Sequence, residues 1–266
     1  MTHQCRAGSV AHALLRAAST LVSTLGLLAA ADSKPTIAEI VTHLQAARNA
    51  TDFRATGRLV RIEPSGDRRN YQFSMRAQAV SGTVRMFCEI TDPDSSRIRV
   101  LLDNPPTGRA LIRTGHPGDR ASAELPFERW NERFLDTDYA YEDLLENQVL
   151  WHTQTLVQEA KYGARDCYVV KSEPAASDRT HYSSVTTWID REILYPVKAE
   201  KVAKGWGAVK EFVYYGLRKS RGIWSASQIE CKTRTRPGST LLIVNRGAEL
   251  TKFDPSAFDP GLLIKP

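Results

Sequence analysis

The chain has 266 residues, a formal net charge of +6 and an apolar fraction of 42%. That apolar share excludes a disordered or collagen-like chain and supports one sizeable core, and the length suits a single large all-β domain. The modest positive balance leans toward acidic partners or anionic lipid headgroups without identifying either.

Residues 1–31 read as a secretory signal peptide. Arg6 and Arg16 precede an uncharged run from Ala17 to Ala31 that closes on three small residues, Ala29, Ala30 and Ala31. The competing reading is a buried amphipathic helix, but Ser19, Thr20, Ser23 and Thr24 dilute the run. It is shorter than the ~20 residues of a spanning helix. The expected product is therefore a soluble, exported domain of residues 32–266, expected to be monomeric, cleaved near Ala31, with no membrane span. Cys5 lies too far upstream of the cleavage region to be acylated. Cys88, Cys167 and Cys231 remain; a Cys167–Cys231 disulfide is the pairing that an oxidising compartment favours, and no CxxC arrangement is present.

After Ser33 and Pro35, residues Ile37, Ile40, Val41 and Leu44 recur at i, i+3, i+4 and i+7, which predicts an amphipathic helix ending near Asn49. From Phe53 the period becomes two. Val60 and Ile62 alternate with Arg61 and Glu63; Tyr71, Phe73, Met75 and Ala77 with Gln72, Ser74 and Arg76; Val84, Met86, Cys88 and Ile90 with Arg85 and Glu89; Ile98, Val100 and Leu102 with Arg97, Arg99 and Asp103. Gly- and Pro-rich joints separate these half-buried strands at hairpin spacing.

A short strand at 110–114 leads into a loop with Trp130. The stretch from Phe134 to Leu145 follows, and it predicts a short helix with Asp136, Thr137 and Asp138 as cap candidates, Glu142 and Asp143 facing the positive end of the dipole, and Tyr141, Leu144 and Leu145 on one face. Strands resume at 153–161, 166–173, 184–190, 195–203, 208–219, 223–235 and 239–249, and Asp254-Pro255 caps a last helical turn from which Phe258, Leu262 and Leu263 can pack back. The sum is one strongly curved antiparallel sheet of about ten or eleven strands with two inserted helices, burying one side only.

No catalytic arrangement stands out. His116, His152 and His181 form no HExxH motif or metal spacing with Cys, and no GxSxG elbow, Walker loop or GxGxxG occurs. The acids Asp136, Asp138, Glu142 and Asp143 could form an acid/base or metal set, but a helix start explains their clustering. Lys232, Arg234 and Arg236 alternate with Cys231, Thr233 and Thr235 as a solvated strand face does, which argues against a nucleic-acid partner. The apolar set of Phe73, Met75, Val84, Met86, Val100 and Leu102, with Trp188, Phe212, Tyr214 and Trp224, lines either a plain core or a cavity.

Asp138-Tyr-Ala-Tyr-Glu-Asp-Leu144, preceded by Arg133-Phe134, resembles the SDFSYEDL signature of the outer-membrane lipoprotein-sorting protein family, the broad relatives of the periplasmic lipoprotein carrier. Gly163 to Val170 resembles that family's glycine-led strand, and Trp188-Ile-Asp to Tyr195-Pro-Val-Lys198 its hairpin. The W-x-Y-x-P strand and the Arg-Pro and Phe-Arg-Trp landmarks of the narrower carrier family are missing, so no basic handover residue is transferred.

The resemblance implies a mainly β fold: an incomplete, half-open antiparallel β-barrel of about eleven strands with a helical lid. Its hydrophobic cavity would receive lipoprotein or lipid acyl chains, without cofactor, metal or catalysis, and inner- and outer-membrane envelope proteins are its candidate partners. The residues expected at the cavity and lid are Ile37, Ile40 and Leu44 of the first helix; Phe73, Met75, Met86, Val100 and Leu102 of the early strands; Trp130, Phe134, Tyr141, Leu144 and Leu145 of the central stretch; and Trp188. The alternative is an interaction or sensor module whose cavity its own side chains fill.

Overall fold

The structure, a computed structural model, describes residues 34–49, 52–205, 207–220, 222–245 and 249–266; the expected signal peptide lies outside the described residues. Two compact units divide at Thr36, and the architecture below belongs to the second, Ile37–Pro266.

Helix α1 (Ile37–Asn49) forms where its apolar stripe predicts. Ile40 is fully buried against Tyr168, Val170 and Ile189, with Ile37 and Leu44 packed beside it. Isolated helices of this length are marginal in water, so the sheet beneath is what holds it helical.

Strands β1 (Phe53–Ile62), β2 (Arg68–Val80), β3 (Thr83–Thr91), β4 (Arg97–Asn104), β5 (Leu111–Gly115) and β6 (Ala123–Glu124) form one antiparallel meander. A second contains β7 (Thr153–Tyr162), β8 (Arg165–Glu173), β9 (Tyr182–Asp190), β10 (Pro196–Ala203) and β11 (Val209–Tyr215). A side hairpin follows, β12 (Arg218–Ser220) with β13 (Ile223–Ser225), and then β14 (Gln228–Thr233) and β15 (Ser239–Val244) continue the meander, with β16 (Glu249–Leu250) last. β1 pairs with β15 from Gly57–Val244 to Ile62–Ser239, which fuses the two meanders. The result is a fourteen-stranded sheet, with β6 and β7 at its edges and β16 added on β1.

The sheet does not close into a barrel. β6 and β7 are consecutive in the chain yet lie at opposite edges, so residues 125–152 have to cross the bowl. This crossing segment decides what the bowl can hold.

The strand count exceeds eleven for two reasons. β6 and β16 are two-residue pairings, and the expected strands at 208–219 and 223–235 each break in two. Gly216 marks the first break: its φ is +59°, and a Cβ there would lie 2.0 Å from the Ser227 hydroxyl. A glycine is what both the backbone and the space demand. Past it, β12 and β13 pair only with each other.

On the concave face Leu59, Tyr71, Phe73, Met86, Val100 and Leu102 join Trp130, Phe134, Tyr139, Tyr141 and Leu145 of the crossing segment in one buried cluster. The convex face is covered as well at β3 and β4, where Phe258 and Leu263 pack on Phe87 and Leu101. Asp254 and Asp259 cap the two 3-10 turns that carry them, accepting from Ser256 N–H at 3.0 Å and Gly261 N–H at 2.7 Å.

Two expectations change. Arg61, placed on the polar face of its strand by alternation with Val60, is only 1% exposed and shares the concave face of Leu59. Cys167 and Cys231 are free buried thiols. They sit on β8 and β14 with β9, β10 and β11 between them; four strand spacings of ~4.8 Å far exceed the reach of a disulfide.

Candidate functional site

The stretch from Phe134 to Leu145 is not the helix its acids suggest. Leu135 turns left-handed at φ +54°, Thr137 Oγ1 donates to Phe134 O at 2.9 Å, and only Tyr141–Leu144 coils, as a 3-10 turn. The reason lies in where the carboxylates go. Asp138 and Asp143 have partners on the sheet, while Glu142 and Asp136 pair with the loops before β9 and between β14 and β15.

Asp138 accepts from Arg61 Nη1 at 3.0 Å and from Thr240 Oγ1 at 2.7 Å, tying the segment to the β1–β15 seam. Glu142 accepts from Thr180 Oγ1 and from His181 N–H at 3.0 Å, and lies 2.8 Å from His181 Nδ1. Asp143 accepts from Tyr182 OH at 2.6 Å, from Lys201 Nζ at 3.2 Å and Lys210 Nζ at 2.8 Å, and from its own Ala140 N–H at 2.8 Å. Burial alone would raise the Asp143 pKa, yet Lys210, Lys201 and their hydrogen bonds hold it far below its ordinary value. Asp136 pairs with Arg236 at 2.7 Å. The four acids therefore diverge to different parts of the fold, and among the described residues no three His, Cys, Asp or Glu side chains converge on a metal-sized site.

This pinning drives apolar side chains into the bowl. Trp130 and Phe134 are each 2% exposed, and Trp130 Nε1 is satisfied by Leu125 O at 3.0 Å. Burying such a side chain is worth about 1.5–3 kcal/mol. Over β1 to β5 the bowl is consequently filled by the protein itself.

Over β8 to β11 it is not. A cavity of about 340 Å³ remains between α1, the end of the crossing segment, the β12–β13 hairpin and the concave face. Leu44 and Ala47 form its helical wall; Val170, Ile189, Ala199 and Tyr214 its sheet floor; Ile223 and Trp224 the hairpin side; Glu146 and Val149 the crossing-segment side. Gln45 Nε2 on Val149 O at 2.8 Å and Arg48 Nη2 on Asn104 O at 3.0 Å fasten α1 over it. Here the crossing segment contributes only Glu146, Gln148 and Val149 to the lining and leaves a mostly apolar hollow.

Of the residues expected at a cavity and lid, Leu44 lines this one, as do Tyr214 and Trp224 of the apolar set. Ile37 and Ile40 pack in the helix-on-sheet cluster next to it. Phe73, Met86, Val100, Leu102, Trp130, Phe134, Tyr141 and Leu145 are together in the filled half, with Met75 and Leu144 packed against them. Trp188 is on the convex face, its ring centroid 4.8 Å from Lys198 Nζ. Glu146, Val170, Tyr195 and Ala199 escaped the sequence reading. Alternation through β8 and β10 was visible, but nothing local to either strand says which of its faces is concave.

The architecture is that of known proteins. A domain described as an outer membrane lipoprotein-sorting protein domain, from Vibrio parahaemolyticus, superposes with a TM-score of 0.72 at 17% identity, over 84% of this chain and 96% of that one. A DUF1329 family protein from Desulfovibrio piger gives 0.73 at 15%, over 84% and 96%. A LolA superfamily protein from Nitrosomonas europaea gives 0.66 at 16%, over 85% and 98%. These likenesses show the fold: an open, incomplete antiparallel barrel shared with those three proteins. A family model described as "Uncharacterized protein" matches residues 123–264, more than half of the chain, and the chain belongs to that family. No curated protein matches it in sequence.

Proposed function

We propose that this is a periplasmic, non-enzymatic binding protein that holds a lipoprotein acyl chain or another lipid-like chain in the cavity beside α1. The carrying observation is the apolar hollow of about 340 Å³ left open where the rest of the concave face is filled. It lies at the lower end of small-molecule sites, which run to about 300–1,000 Å³. The shared fold with lipoprotein-sorting proteins supports the reading, as does the sequence of residues 1–31. Among the described residues no helix is long and apolar enough to cross a membrane. Holding a chain requires apolar area and a movable wall, not a reacting group. Leu44 and Ala47 are the wall, with Ile37 and Ile40 holding the helix to the sheet beside it; inner- and outer-membrane envelope proteins are the proposed donors and acceptors.

The test is native mass spectrometry of the protein expressed from the full chain for export and purified without detergent, paired with uptake of an uncharged fluorescent probe bearing one alkyl chain. Ala47 is exposed at the cavity wall, so Ala47→Trp plugs the hollow without disturbing the core. Bound lipid or probe uptake in the wild type, lost in Ala47→Trp, supports the reading. A wild type that carries nothing and takes up nothing overturns it.

That second outcome would favour an envelope-protein interaction module of the same fold, for which one observation already speaks. The crossing segment fills the β1–β5 half with its own Trp130, Phe134 and Tyr139.

A further inference from the structure

Among the described strands, β12 and β13 alone stay outside the main sheet and pair only with each other, Arg218 with Ser225, Lys219 with Trp224 and Ser220 with Ile223. A hairpin of two short strands is marginal in water and needs an apolar surface to lean on. It leans inward here: Ile223 and Trp224, both half-buried, form one side of the cavity. Its base is fastened, with Ser227 N–H donating to Tyr215 O at 3.1 Å and Ala226 N–H to the Tyr195 hydroxyl at 3.2 Å.

The stretch that builds it has its own composition. From Tyr215-Gly-Leu-Arg-Lys-Ser-Arg-Gly-Ile-Trp224 come three basic residues, Arg218, Lys219 and Arg221, no acid, and four apolar residues of which two are aromatic. These ten residues hold half of the formal excess of +6 that the 266 residues carry. Arg218 and Lys219 are exposed, and neither has an acid partner among the described residues. Tyr215 at the base is left 44% exposed. The adjoining turn before Tyr195 supplies one charge of each sign, Arg191 and Glu192, and the cavity border does the same with Arg48 and Glu146. The excess therefore stays with the hairpin. Basic residues interleaved with Trp and Tyr suit the boundary of an anionic bilayer, where cations meet the lipid phosphates and the amphipathic rings sit at headgroup level.

We propose that the β12–β13 hairpin docks this protein on anionic phospholipid bilayers, so that the cavity wall made by Ile223 and Trp224 comes to lie against the headgroups. A bilayer fits better than an acidic protein face because the same hairpin walls an apolar hollow, and a bilayer presents acyl chains together with negative charge. The inference builds on the cavity reading and names the surface at which the cavity exchanges its chain; docking itself needs no bound chain.

The experiment cosediments the full exported protein, in low salt, with vesicles of phosphatidylcholine and with vesicles in which about a third of that lipid is phosphatidylglycerol. The expected partition into the anionic vesicles is at least about tenfold above the neutral ones and falls as salt is raised. Each basic residue at such a surface is worth about fivefold, so Arg218→Ser with Lys219→Ser lowers anionic binding by about 25-fold. Arg58→Ser with Arg68→Ser removes the same charge from exposed positions on β1 and β2, and lowers it by less than about threefold. All four side chains are exposed, so both double variants melt as the wild type does. Equal binding to the two kinds of vesicle, or equal losses in the two double variants, overturns the docking site. A protein that ignores both vesicles, yet is retained by immobilised polyglutamate unless the hairpin is substituted, assigns the hairpin to an acidic protein partner and overturns it as well. Alkyl-probe uptake is read on the same samples, and the hairpin variant keeps it because Arg218 and Lys219 do not line the cavity. Uptake without vesicle binding sinks the docking and leaves the cavity; vesicle binding without uptake supports the docking and sinks the cavity.

Discussion

Asp143→Asn is the sharpest test of how the crossing segment is held. The substitution keeps the shape and the contact to Tyr182, but it leaves Lys201 and Lys210 facing a neutral amide at 3.2 and 2.8 Å. The Asp143 side chain is 0% exposed and those of Lys201 and Lys210 only 6% and 14%, so water can repair little of the loss. Removing one partner of a buried pair costs about 3–5 kcal/mol, a large part of the ~5–15 kcal/mol that stabilises a domain. At about 2–4 °C per kcal/mol for a domain of this size, the melting temperature falls by about 6–20 °C. The sign with pH follows from the depressed pKa. The ion-pair contribution is fully present above the ordinary carboxylate value of 3.8 and is lost as the pH drops toward the lower folded value. The wild-type advantage over Asp143→Asn therefore shrinks in acid, and adding Lys201→Met to the variant recovers part of the stability. Urea and thermal unfolding followed by near-UV circular dichroism read all three. An Asp143→Asn protein within about 1 kcal/mol of wild type at pH 7, or a difference that does not narrow toward pH 3, would refute the reasoning.

Gly57→Ala should cost more than the ~1–3 kcal/mol typical of overpacking, since a Cβ there would lie 2.0 Å from Ile243 O and 2.6 Å from the Phe73 ring at the β1–β15 seam; a lowered urea midpoint with an unchanged slope checks it. Cys88, Cys167 and Cys231 should resist an aromatic disulfide reagent in the native protein and react together on unfolding, because all three are buried and burial raises the Cys88 thiol to about 12; intact mass should show no bond between Cys167 and Cys231. Trp188→Ala should leave alkyl-probe uptake unaltered, because its ring lies under Lys198 on the convex face, and impaired uptake would place the ligand elsewhere.

Much of the fold was legible because period-two alternation is a local signal. It located β2, β3, β4, β8 and β10 to within a few residues, and the 3.6-residue period did the same for α1. What alternation cannot say is which of two faces turns inward when both carry apolar residues. Val60 and Arg61 are both buried, one on each face, so the sequence placed Arg61 in water when its partner, Asp138, comes from a segment 77 residues away. Trp188 went wrong in the same way. The central stretch misled for a different reason: acids before an apolar run look like helix caps, and here the same acids are claimed by Arg61, Thr240, Tyr182 and Lys210 across the bowl. A pairing of that range leaves no mark on local spacing.

The placement of those acids also bears on why one half of the bowl is filled and the other open. Asp138 fixes the segment to β1 and β15, and Asp143 to β10 and β11, within a few residues of each other. Between and before these anchors the chain has no freedom to retreat, so Trp130, Phe134 and Tyr139 are forced into the core. After Leu145 the buried ion-pair anchors end and neutral hydrogen bonds take over, Asn104 Nδ2 to Asn147 Oδ1 and Gln45 Nε2 to Val149 O, each at 2.8 Å. The chain turns left-handed at Glu146, runs through the 3-10 turn Asn147–Leu150, and returns to the edge at β7. The hollow over β8 to β11 begins at that turn, with Glu146 at its border. The acid-rich signature and the cavity are on this account parts of one device: the charges decide where the lid is nailed down, and the cavity is what lies beyond the last nail. If so, a variant in which Asp143 no longer grips β10 and β11 should change alkyl-probe affinity as well as stability, while Arg99→Met, whose partners are Glu89 and the C-terminal carbonyls on the convex side, should lower stability and leave probe affinity as it was. Equal effects of the two variants on probe affinity would separate the signature from the cavity.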